Sequence, residues 1–174
     1  STDDTYAVAK GYLDKYPEGA DRLQAEFYMA EAYKAQGQKE KACEWYGKVM
    51  KHDVQSSFVE LSKLNFANIS YSLERYPDAY QAYLSLLASA VMDANRKTAS
   101  IGMMRSAYKA KDYASAISSA DGVLALKDKA AELEREAKYI KAKSCLASSK
   151  RSEAMAIFKV LSAECSTPEG AEAS

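Results

Sequence analysis

Histidine is all but missing from this 174-residue chain, with His52 standing alone. A Ser or Cys nucleophile usually relies on a positioned base, most often His. His52 falls at the end of a predicted helix, with no partner evident in the sequence. A cation there interacts favourably with the helix dipole, which is a structural role rather than a catalytic one. Cysteine is scarce too. Cys43, Cys145 and Cys165 are odd in number, widely spaced and form no CxxC pair, which excludes a disulfide framework and a zinc site. They read as small core residues, and a single Cys145–Cys165 pairing stays open. Three prolines and seven glycines leave no linker or low-complexity stretch.

Net charge is missing as well. The 24 basic and 24 acidic side chains cancel, so no electrostatic term draws the chain to nucleic acid or to an anionic membrane. No apolar window is long enough to cross a bilayer, which argues against direct membrane insertion, and Ser1 to Thr5 lack the basic and apolar regions of a signal peptide. There is no phosphate loop, dinucleotide glycine pattern or HExxH spacing. The expectation is a chain that is not an enzyme and needs neither cofactor nor metal.

What the chain has is periodicity. The tetrapeptide Pro-Glu-Gly-Ala occurs at Pro17 to Ala20 and again at Pro168 to Ala171. Between them Ala42, Ala79, Ala116 and Ala154 share one context at spacings of 37, 37 and 38 residues. Aligned on these alanines, further columns read Tyr46, Tyr83, Ala120, Phe158 and Val49, Leu86, Val123, Leu161, both mostly apolar. A third column, Ala30, Ala67, Met104, Ala142, is small in three cases of four, as a close contact between antiparallel helices requires. A fixed period of this length marks stacked units that bury their apolar faces only against neighbours.

Apolar residues recur at helical spacing throughout, and no run alternates with period two. The breaks agree with that reading. Pro77 and Pro168 suit the first turn of a helix, Gly37 can supply a left-handed closing residue, and Asp112 is a plausible N-cap. The predicted fold is all-α, a right-handed solenoid of antiparallel helix pairs. The expected division is residues 1–17 as the second helix of a partial repeat, four repeats at 18–54, 55–92, 93–129 and 130–167, and the start of another at 168–174. That division implies a piece of a longer array, in which self-association could reflect truncated ends.

Two other clusters have ordinary explanations. Glu132, Glu134 and Glu136 lie in the first turns of a predicted helix, where acidic residues and a Glu134–Lys138 pair stabilise it by tenths of a kcal/mol. Of the thirteen tyrosines, Tyr33, Tyr46 and Tyr83 occupy interior columns, while Tyr76 and Tyr113 fall at matched turns. A base-stacking platform would also need basic charge that is absent.

Residues Ala30, Tyr33, Gly37, Ala42 and Tyr46 resemble the tetratricopeptide repeat (TPR) motif. The other units are degenerate: Glu74, Lys111 and Ser149 replace the glycine, and Ser70, Ala107 and Cys145 replace the first aromatic. The resemblance implies a concave groove lined by the first helix of each pair. Three columns would face it: Phe27, Leu64, Ile101, Tyr139; Glu31, Asn68, Arg105, Lys143; and Lys34, Tyr71, Tyr108, Leu146. The candidate peptide-binding residues are Asn68, Tyr71, Arg105, Tyr108, Tyr139 and Lys143, with the acidic end of a peptide near Arg105 and Lys143. A solvated charged face is the other reading of the same columns. Only Asn65 and Asn68 sit where some family members clamp a peptide carboxylate, so that docking function does not carry over. The implied function is a protein-interaction scaffold binding a peptide or protein partner. The alternative is a structural spacer or assembly subunit working by end-to-end stacking. The resemblance extends to TPR proteins of bacterial cell envelopes, without fixing a compartment.

Overall fold

The computed structural model describes residues 1–165, so Pro168 and the expected repeat start at 168–174 lie outside the described residues. Nine helices make up the described chain, with no strand. They are α1 (Thr2–Lys15), α2 (Arg22–Ala35), α3 (Lys39–Met50), α4 (Ser57–Ser72), α5 (Tyr76–Ser89), α6 (Asp93–Lys109), α7 (Tyr113–Leu124), α8 (Ala131–Ala147) and α9 (Arg151–Cys165). The fold is an all-α helical repeat. The helices α3, α5, α7 and α9 begin at intervals of 37, 37 and 38 residues, the spacing of the alanine column.

Local chemistry starts these helices. Ser1 and Asp4 form a capping box on α1, Ser56 Oγ accepts from Phe58 N–H at α4, and Asp112 accepts from Ser115 N–H at α7. Pro77 sits in the first turn of α5, where a missing N–H costs nothing. The ends of the first helices are more uniform than the sequence implies. Gly37 has φ of 74°, and Glu74, Lys111 and Ser149, 37, 37 and 38 residues on, have φ of 59°, 62° and 62°. Each is followed by the same hydrogen bond. The next N–H donates back to the carbonyl of Tyr33 (2.9 Å), Ser70 (2.8 Å), Ala107 (2.9 Å) or Cys145 (2.7 Å). This left-handed closure recurs at all four turns.

A side chain in that conformation costs roughly 1–2 kcal/mol, partly offset by the chain entropy that glycine loses on folding. Glu74→Gly, Lys111→Gly and Ser149→Gly, all at exposed positions, are each expected to stabilise the chain by about 0.5–1 kcal/mol. Gly37→Ala is expected to cost a similar amount. Urea unfolding measures all four.

The chain forms two compact units, Ser1–Arg96 and Lys97 onward, with the boundary inside α6. In the first, α1 packs on α2, α2 on α3, α3 on α4 and α4 on α5. Its core gathers Phe27, Ala30, Ala42, Cys43, Tyr46, Val49, Val59 and Ile69. In the second, α7 packs on α8 and α8 on α9 around the fully buried Ala116, Ala120, Val123, Ala137, Ala142 and Ala154. The small column does what close helix contact demands, since Ala30, Ala67, Met104 and Ala142 are all completely buried.

The cysteines divide. Cys43 and Cys145 are buried free thiols, and burial pushes both above the usual thiol range. Cys165 corrects the core expectation. It is exposed and unpaired, because α9 buries only Ala154.

Candidate functional site

In the first unit, Asn68 and Tyr71 lie on α4. Asn68 is exposed, and its Oδ1 accepts from the buried Tyr83 hydroxyl at 2.5 Å. The same bond occurs one repeat earlier, where the Tyr46 hydroxyl donates to Glu31 Oε1. Burial, followed by this carboxylate, pushes the Tyr46 phenol far above its ordinary value. Glu31 and Asn68 therefore anchor tyrosines of the following helix. Tyr71 stands edge-on to Tyr76 across the turn, with ring centroids 5.2 Å apart. Lys34 Nζ donates to Asn65 Oδ1 at 2.7 Å, joining α2 to α4.

In the second unit, Ala120 takes the tyrosine's place and offers Arg105 no hydroxyl. Arg105 instead forms a bidentate pair with Glu136, at 2.8 Å from Nε and 2.9 Å from Nη2, and so joins α6 to α8. Tyr108 stands edge-on to Tyr113, with centroids 6.5 Å apart, repeating the Tyr71–Tyr76 geometry. On α8, Tyr139, Lys143 and Leu146 are all exposed and lie one turn apart along one face, with Tyr139 at 47% and Leu146 at 43%. Ala137, Ile140, Ser144 and Cys145 face the interior. Among the described residues Lys143 has no ion-pair partner.

Exposure of the three columns is lowest on α2 and highest on α8. Phe27 on α2 is 8% exposed and stacks near Phe58, with centroids 5.1 Å apart. Leu64 and Ile101 are half-buried, and only Tyr139 projects. Paired charges also differ from the plain gradient that the residue types imply, because Glu31, Lys34 and Arg105 each meet a partner within the fold.

Other polar groups pair in ways that spacing does not reveal. His52 does have a partner: its Nε2 lies 2.9 Å from Glu26 Oε2, and Glu26, 2% exposed, also accepts from Arg22 Nε at 2.8 Å. The Glu134–Lys138 pair forms at 3.6 Å, but Lys138 sits closer to Glu164, at 2.6 Å. That hydrogen bond raises the Lys138 amine above its ordinary value, as the Asp121 contact does for Lys141. Among the described residues no three His, Cys, Asp or Glu side chains gather as a metal site, and no helix is long and apolar enough to cross a membrane.

No protein-family model and no curated protein matches the sequence. Solved structures do. A kinesin light chain of Podosopora anserina with nearly identical TPR-like repeats superposes with a TM-score of 0.57 at 15% identity, over 91% of this chain and 84% of that one. MamA from MSR-1 superposes with a TM-score of 0.59 at 14% identity, over 90% of each chain. Likeness at this identity shows the fold: the chain is a TPR-like, all-α helical repeat.

Proposed function

We propose that this chain is a non-catalytic protein-interaction scaffold that seats a peptide segment of a partner protein. Asn68 and Tyr71 serve one unit and Arg105, Tyr108, Tyr139 and Lys143 the other, within the four-repeat division at 18–54, 55–92, 93–129 and 130–167. The α8 stripe is the observation that carries this reading. A face that only meets water is polar, whereas Tyr139 and Leu146 hold apolar surface in solvent on either side of a cation. Such a stripe complements an acidic residue set between two apolar anchors. Tyrosine is also among the residue types that dominate interface energetics.

Capture from native extract tests this, with the chain run beside a Tyr139→Ser, Lys143→Glu, Leu146→Ser variant. All three side chains are exposed, so the variant's helix content should be unchanged. Retention of the partner should fall by about tenfold or more, since a lost anchor typically costs more than 1 kcal/mol. Equal retention by both chains would sink the proposal. A second reading, a spacer that stacks end to end, draws on Val8 of α1 at 74% exposure and Met155 of α9 at 60%. It is favoured if sedimentation shows association lost in Val8→Glu but kept in the α8 variant.

A further inference from the structure

In the first unit α1 begins 37 residues before α3 and is its counterpart one repeat earlier. The two differ in their neighbours. α3 packs against both α2 and α4, whereas α1 packs against α2 alone among the described helices. Beside that single contact lies an apolar groove of about 450 Å³, walled by Val8, Ala9 and Tyr12 of α1 and by Ala25 and Tyr28 of α2. Val8 is 74% exposed and Tyr28 38%.

One repeat on, the same place is filled. There Ala9 and Tyr12 become Tyr46 and Val49, Asp4 becomes Lys41 and Asp21 becomes Phe58. The helix that fills it is α2. Its Phe27 ring lies against those of Tyr46 and Phe58, with centroids 6.2 and 5.1 Å apart, and Ala30 joins the same core. Phe58 also meets Tyr28, at 6.2 Å, and Lys41 Nζ stands over the Tyr33 ring, 5.5 Å from its centroid. In the groove, therefore, Asp21 and Asp4 stand where a filling helix would present the residues equivalent to Tyr28 and Tyr33.

That exchange makes the groove acidic. Asp4 and Asp21 both line it, and none of its lining residues is basic. Asp4 is 85% exposed. Asp21 caps no amide with its side chain and forms no ion pair among the described residues.

We propose that this groove seats an amphipathic helix of a partner protein, antiparallel to α1, whose face reads apolar, basic, any, small, any, any, basic. The apolar residue takes the place of Phe27 and covers Val8 and Tyr12, removing their surface from water. The small residue takes the place of Ala30 and lets the helix approach closely. The two basic residues take the places of Tyr28 and Tyr33 and meet Asp21 and Asp4.

A dye-labelled, capped peptide of about 16 residues, long enough to hold a helix, tests the site. It carries Phe-Lys-Gln-Ala-Gln-Ala-Lys at its centre, and its anisotropy should rise on binding the whole chain. Amide resonances of Val8, Tyr12 and Tyr28 should move while those of Tyr139 and Lys143 stay. Asp21→Lys, at an exposed position, should weaken binding about threefold or more, and a peptide with Glu in place of the lysine after Phe should recover it. The α8 variant should bind the peptide as the unaltered chain does, which separates this groove from the α8 stripe. No binding, equal binding of a scrambled peptide, or no response to Asp21→Lys would overturn the proposal. So would self-association that Asp21→Lys abolishes, because a second copy would then cover the groove.

Discussion

Tyr46→Ala is expected to destabilise the first unit by about 3–5 kcal/mol, the range for deleting a large aromatic from a packed core. Tyr46 is completely buried against Ala30, Ala42, Val49 and Phe27, with the Phe27 centroid 6.2 Å away. Two effects add. Removing the ring leaves a cavity that helices pinned by alanine contacts close poorly. Removing the hydroxyl strips Glu31 of the donor that α3 supplies to α2. Tyr46→Phe separates the two, because it keeps the ring and is expected to cost only about 1 kcal/mol. If urea unfolding gave equal losses for both variants, the hydroxyl bond rather than packing would be holding the pair of helices. The corresponding column in the second unit carries Ala120 and Phe158, neither with a hydroxyl, so no polar pin of this kind operates there.

Much of this was legible in the sequence, because repeat stacking is written in local periodicity. The alanine column fixes where helices touch, and Pro77 and Asp112 fix where they begin. The turns show a limit of that legibility. Glu74, Lys111 and Ser149 read as departures from a glycine motif, yet their backbones keep the left-handed turn of Gly37. Ser70, Ala107 and Cys145 read as lost aromatics, yet their carbonyls accept the same closing bond that Tyr33 does. A side-chain motif can decay while the backbone motif it marked persists, since that bond needs only an N–H and a C=O.

Pairings between helices were not legible. Glu26 with His52, Arg105 with Glu136 and Lys138 with Glu164 join residues 26, 31 and 26 positions apart. Such separations depend on how far each helix is rotated about its axis, which periodicity leaves free by a large fraction of a turn. The candidate columns were affected accordingly. Residue type alone made Glu31 and Lys34 peptide-facing charges, whereas the packed helices give both an internal partner. Lys143 and Tyr139 carry the interaction proposal because α8 holds them exposed.

Glu60→Ala is expected to cost about 3 kcal/mol, a large effect for a polar side chain, because Glu60 ties α4 to the segment that opens α6. It is 7% exposed and accepts from Val91 N–H, from Met92 N–H at 3.4 Å and from Asn95 Nδ2 at 3.2 Å. Those donors precede or begin α6, where unpaired amides and the helix dipole both favour a carboxylate. Removing one acceptor leaves several donors unmatched, and Asn95, 8% exposed, has little water to turn to. Glu60→Gln distinguishes charge from geometry. The amide keeps one accepting oxygen but replaces the other with a donor facing donors, so an intermediate loss of about 1–2 kcal/mol is expected if the hydrogen bonds dominate. Amide exchange locates the effect: protection at Met92 and Asn95 should fall in both variants while that of Tyr46 in the α2–α3 pair holds. Uniform loss across the first unit would instead mean that Glu60 supports the core as a whole.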